Sequence, residues 1–302
     1  MAGRTLMQPA LPITLGAKAA GWLDHVARCR SHLELAFDEA MTLQFGGAVG
    51  TLSALGPDAA AVRAALAEEL SLHEPPVTWH TGRDRFARLA SEAVLMLAAV
   101  AKISRDVALI MQMEIGEARE PAGEGRGGSS TMPQKRNPVA APAVIGAYHA
   151  AQGALAGLLS AQLQEHERGV GGWHAEWLTL PQIVECLAGA VSHTAETVAG
   201  LEVDEARMLE NLDLGHGTMM SEALMMKLAT HIGRGEAKAV VGDLAKSALA
   251  DGRPLAEVAK AEPRVTQHLT IDEIASALDP ANYLGLAPHA VDEVVRRFRD
   301  SR

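Results

Sequence analysis

Aromatic side chains are scarce in this 302-residue sequence: Phe, Trp and Tyr together make up 3% of it. Sandwiches and barrels rely on aromatic and β-branched residues, so this scarcity, set beside abundant alanine, argues for closely packed helices. Cysteine is nearly absent. Cys29 and Cys186 lie far apart, form neither a disulfide framework nor a zinc knuckle, and suit a reducing cytoplasm. Net positive charge is lacking too: the formal balance of −10 excludes the broad basic face that non-specific nucleic-acid binding needs. A small anionic substrate stays compatible with that balance, because a few local Arg and Lys can make a positive pocket on an acidic protein. Met1–Ala10 does not read as a charged-then-apolar leader, and no uninterrupted apolar run is long enough for a bilayer. With 48% hydrophobic residues the chain can bury a substantial core. The expectation is a soluble, cytoplasmic, all-α protein.

What is present is a helical period. Leu15, Ala19, Trp22, Val26, Cys29, Leu33, Ala36, Ala40 and Leu43 are spaced alternately by four and three, predicting a long helix within Pro12–Phe45. Phe86, Leu89, Ala93, Met96, Val100, Ile103, Val107 and Ile110 repeat the pattern. Between them lie a breaker-rich stretch from Gly46 to Pro57, a short helix to Leu72 and the turn Pro75-Pro76. After Pro121 and the glycines of Gly123–Gly128, Asn137-Pro138 reads as an N-cap and first helical position. The helix it opens, to about Gln162, is apolar nearly all round and should be surrounded by other helices. Another helix starts at Trp173 or Pro181 and ends near Ala199. Beyond Val203 helices shorten and turns multiply. The expected division is a helical-bundle domain, 1–201, and a small helical C-terminal domain, 202–302.

Chemistry concentrates in Gly127-Gly128-Ser129-Ser130-Thr131-Met132-Pro133-Gln134-Lys135-Arg136-Asn137-Pro138. This is a glycine hinge, two adjacent serine hydroxyls, two cations and a helix start. Free N–H groups and the positive dipole end of that helix would attract an anion. A serine beside such a site can act as a base if surrounding dipoles stabilise its alkoxide. An ordinary helix-to-helix loop is the competing reading.

That stretch resembles the signature loop of the fumarase/aspartase superfamily, Gly-Ser-Ser-x-Met-Pro-x-Lys-x-Asn-Pro, at every fixed position. The resemblance implies Ser129 as the catalytic base, with Ser130, Lys135 and Asn137 binding or polarising substrate carboxylates. Gln44–Leu52 is similar to the superfamily's glycine-rich segment. Trp79–Arg85, Gln164–Arg168, Trp173–Trp177, Asn211–Leu214 and Leu278–Gly285 resemble its 3-carboxymuconate cycloisomerase branch in particular. By that resemblance Arg83 and Arg168 are carboxylate clamps; the competing role for each is a surface ion pair, with Asp84 or Glu167. The segment Gly3–Gln8 resembles one that follows a further N-terminal domain in family members, implying a chain short at that end, and it adds Thr5 and Gln8 as substrate-binding residues. Superfamily lyases with Thr-His at the position of Thr5-Leu6, and cycloisomerases with histidine at the position of Pro9, differ from this chain there.

The implied fold is a long-helix bundle of the fumarase/aspartase type with a small C-terminal helical domain, assembled as a homotetramer. The implied reaction closes a carboxylate of 3-carboxy-cis,cis-muconate onto a double bond, giving a γ-carboxymuconolactone. The substrate is then a small tricarboxylate, with no cofactor, no metal, no nucleic acid and no membrane partner. Another superfamily lyase, adenylosuccinate lyase first, and a non-catalytic helical fragment are the alternatives. Gly123-x-Gly125-x-x-Gly128 matches a dinucleotide fingerprint in letters only, since a heptad helix and not a strand precedes it. His166, His174 and Glu176 do not have the spacing of a zinc site.

Overall fold

The computed structural model describes residues 1–300 apart from 124–126, 129, 130, 133 and 134, so Ser129 and Ser130 lie outside the described residues. Two compact units emerge. One comprises 25–111 and 118–202; the other comprises 1–24, 112–117 and 203–302. One boundary between the units follows residue 202. The first 24 residues and 112–117 group with the C-terminal unit, whereas the sequence grouped them with the bundle.

The bundle unit is built on α1 (Leu15–Ala40, from residue 25 onward), α3 (Asp84–Ile110), α4 (Ala140–Ser160) and α5 (Gly172–Ala199), with α2 (Ala59–Glu69) alongside. The second heptad seam is the heart of its core. Ala93, Met96 and Val100 of α3 pack with Val144, Ala151 and Leu158 of α4 and with Ile183 and Ala190 of α5. Val26, Cys29 and Leu33, from the first seam, close over them. Small residues let these helices approach closely, and their burial removes apolar surface at about 25 cal/mol per Å². Helix α5 begins at Gly172 and carries Pro181 inside it.

Helix α4 departs from its expected surroundings. Ala140, Ala141, Val144, Ala151, Ala154 and Leu158 are buried, but Ala143, Gly146, Ala150, Gly153 and Leu159 on its other faces are exposed. Within the chain it is covered along one side.

The other unit opens with an antiparallel hairpin, β1 (Ala2–Thr5) and β2 (Gln8–Pro12), which the sequence reading left unassigned. Leu6 and Met7 form its turn with φ of 49° and 67°, the left-handed pair a two-residue hairpin turn requires. Thr14 then caps α1, its hydroxyl accepting the Ala17 N–H at 2.9 Å. Short helices α6 (Glu205–Glu210), α7 (Ser221–Ile232), α8 (Arg234–Asp251), α9 (Leu255–Ala261), α10 (Pro263–Thr266), α11 (Ile271–Ala277) and α12 (Ala287–Asp300) follow. Leu224, Leu228, Val241, Leu244, Leu255, Val265 and Ile274 make a second core. No helix among the described residues is long and apolar enough to cross a membrane.

Candidate active site

The two arms of the 127–138 segment are drawn together. Asn137 donates its N–H to the Gly127 carbonyl at 2.7 Å, and Gly128 and Arg136 form an antiparallel bridge. A Cβ on Gly127 would stand 2.8 Å from the Asn137 carbonyl, and φ is +73°, so this neck requires glycine. Lys135, exposed, turns back with its N–H on the Met132 carbonyl at 3.0 Å. Arg136 is tied down. Its guanidinium holds Glu202 through two parallel contacts at 2.6 and 2.7 Å and also donates to the Glu120 carbonyl. Glu202 further accepts the Ala122 N–H at 3.0 Å. Hydrogen bonds from Arg136, then from Ala122, lower the Glu202 carboxyl to about 2, although it is exposed to solvent.

The start of α4 corrects an expectation. The helix begins at Ala140, later than Asn137-Pro138 suggested, and its N-cap position is Val139, whose side chain cannot cap. Its first N–H groups are not free for a substrate anion. The Glu120 carboxylate, 2% exposed, accepts from Val139 at 2.8 Å, Ala140 at 3.0 Å and Ala141 at 2.9 Å. The positive end of the helix is therefore neutralised by a buried carboxylate of the same chain. Sequence reasoning missed Glu120 because it stands nineteen residues ahead of the first N–H it meets.

A second group of motifs assembles around α3 and α5. Arg83 is buried, and Nε and Nη2 grip Glu176 at 2.9 and 2.6 Å. Its guanidinium carbon lies 4.9 Å from the Trp79 ring centre and 4.8 Å from that of Phe86. Its partner is thus Glu176, not the neighbouring Asp84, and only Nη1 lacks a hydrogen bond. Trp79 donates its indole N–H to the Leu43 carbonyl at 2.9 Å. Arg168 donates to the carbonyls of Gly47 at 2.6 Å and Ala48 at 3.0 Å, and so holds the glycine-rich segment. That segment also fits closely against Thr78: a Cβ on Gly46 would fall 2.4 Å from its Cγ2. Thr81 reaches the His166 carbonyl at 3.1 Å. Burial first, then the charges of Arg168 and Arg83, push the His80 imidazole below its ordinary value. Segments 44–52, 79–85 and 164–177, separate in sequence, thereby become one cluster.

Thr5 and Gln8 belong to the other unit. They flank the hairpin turn, paired to each other across it, and both are exposed. Beside them Arg4 forks onto the fully buried Glu117, with both contacts at 2.8 Å, and Asn211 adds its side-chain N–H to the same carboxylate at 2.9 Å. Arg4 and Glu117 anchor the strand that presents Thr5. Neither was singled out from the sequence, where they stand 113 residues apart. Among the described residues no group of three or more His, Cys, Asp or Glu is arranged to hold a metal ion.

Comparison with known proteins agrees with these motifs. The sequence model of the lyase family matches residues 1–153, and that of the adenylosuccinate lyase C-terminus matches 217–294. The chain belongs to this lyase family, the superfamily of fumarase and aspartase. It is 45% identical over 295 residues to a 3-carboxy-cis,cis-muconate cycloisomerase of Bradyrhizobium diazoefficiens, covering 98% of this chain and 65% of that protein. It is 48% identical over 287 residues to one from Pseudomonas aeruginosa, covering 95% of this chain and 62% of that one. The crystal structure of the 3-carboxy-cis,cis-muconate lactonizing enzyme from Pseudomonas putida superposes with a TM-score of 0.93 at 43% identity, covering 99% of this chain and 66% of that one. The chain thus spans a little under two thirds of the length of these relatives.

Proposed function

We propose that this chain carries the cycloisomerisation of 3-carboxy-cis,cis-muconate to a γ-carboxymuconolactone, a step of aromatic-compound breakdown. The observation that carries the reading is the complete signature segment, closed at its neck by Asn137 and Gly127, on a chain 45% identical to a cycloisomerase along 98% of its length. In the reaction one carboxylate oxygen adds to an alkene carbon, the π electrons pass to the carbon next to a second carboxylate, and a proton is delivered there. Ser129 is the proton-transferring residue, the base of the reverse direction. Lys135, Asn137 and Ser130 hold substrate carboxylates and stabilise the enediolate-like intermediate; Thr5 and Gln8, on the other unit, are substrate-binding residues by family resemblance. Arg168 works through the glycine-rich segment it anchors, and Arg83 is committed to Glu176, with its one unpartnered nitrogen, Nη1, buried as well.

Self-association accompanies this reading. The exposed small-residue face of α4, with Leu178, Val184 and Val191 exposed on α5, supports a homotetramer sharing a helical core. Two free thiols suit the cytoplasm.

Incubation of the purified protein with 3-carboxy-cis,cis-muconate, followed by ultraviolet absorbance and NMR, tests the reaction. Loss of the conjugated diene with formation of a lactone of unchanged mass is expected. No conversion of the muconate, together with turnover of adenylosuccinate, would overturn the proposal in favour of a lyase.

A further inference from the structure

We infer that Glu120 is a positioning residue for the Lys135–Pro138 arm, and that it acts as the built-in anion of the α4 terminus. Its side chain takes the N–H groups of Val139, Ala140 and Ala141, while its main-chain carbonyl takes the guanidinium of Arg136. One residue therefore grips the arm on both sides of Asn137-Pro138. The cap position itself offers no help, since Val139 has no side-chain acceptor. Three N–H groups at the end of a 21-residue helix demand an acceptor, and a buried carboxylate satisfies them far better than a neutral group. Without it the first turn of α4 frays and the arm that carries Lys135 and Asn137 loses its fixed end. The same occupancy closes this terminus to substrate, so the substrate carboxylates must find their charge at side chains.

The inference rests on the proposed function for its kinetic consequence only. Glu120→Ala removes the anion and leaves a cavity that formate can enter. Hydrogen exchange in that variant should be about tenfold or more faster at Asn137, Ala140 and Ala141, and formate, but not chloride at equal ionic strength, should slow it again. Turnover of the muconate should fall about tenfold or more in kcat with KM within about threefold, and formate should recover part of it. Glu120→Gln, which keeps an acceptor oxygen and the side-chain volume, should lie between and guards against a failure to fold. Unchanged exchange at Asn137 in Glu120→Ala would overturn the inference. So would a lowered melting temperature with kcat intact. If the unmodified protein does not turn over the muconate, the proposed activity falls, while exchange at Asn137 and its formate response still decide the role of Glu120.

Discussion

Arg83 and Glu176 form a two-pronged ion pair in which both side chains are almost wholly buried, roofed by the Trp79 and Phe86 rings. The pair bolts the first turn of α3 to the first turns of α5. Burying two charges is costly, and the pair offsets that cost only because its geometry is good.

Removing one partner therefore leaves an uncompensated buried charge. Arg83→Met should destabilise the protein by about 3–5 kcal/mol, and Arg83→Lys should recover little, because a point charge cannot reproduce the fork. The double variant Arg83→Met, Glu176→Leu should lose much less than the two single losses added together. Urea unfolding of the four proteins measures this. Additive losses would show that the two residues act independently.

Glu117 supplies a pH dependence. Burial alone would push its carboxyl up, but the hydrogen bonds from Arg4 and Asn211 outweigh it and hold the group below the usual 4.5. A folded value below the unfolded one contributes stability that is complete above 4.5 and is lost as pH falls through the folded value. Arg4→Met should lower the urea midpoint at neutral pH and should narrow its distance from the midpoint at about pH 3. An unaltered gap between the two midpoints would contradict the anchoring role given to this pair.

Lys135→Met should weaken substrate binding by about 2–4 kcal/mol, because a carboxylate loses a charged partner. Arg168→Met should lower activity by releasing the Gly47 and Ala48 carbonyls, and Arg168→Lys should restore only part of it. Arg296 is the control. It is exposed on α12 and pairs with Glu293 and Asp300 of the same helix, so Arg296→Met should leave steady-state kinetics unchanged. Equal damage from Arg296→Met and Lys135→Met would remove the carboxylate-binding assignment.

Local periodicity made the long helices legible. The seam from Phe86 to Ile110 corresponds to α3, Asp84–Ile110, because an apolar stripe repeating by three and four can be buried only on a helix. The hairpin at 2–12 escaped notice: its turn uses Leu6 and Met7 in left-handed conformation in place of the glycine or asparagine that signals such turns. Asn137 looked like a cap, yet α4 begins three residues later, since a carboxylate distant in sequence satisfies its first turn. The motif residues could be named from the sequence. Their tethers could not: Glu176 for Arg83 and Glu202 for Arg136 are pairings made only by the tertiary fold, as is the Arg4–Glu117 pair beside Thr5.

If Ser129 moves the proton in a muconate cycloisomerisation, as proposed, the rate of lactone formation by the Ser129→Ala variant must show it. The unmodified protein should form lactone, and kcat should fall about a hundredfold or more in the variant with substrate affinity within about threefold, because the hydroxyl acts in the transition state. Lactone formation that survives the substitution at its original kcat, or a loss confined to KM, would contradict that role.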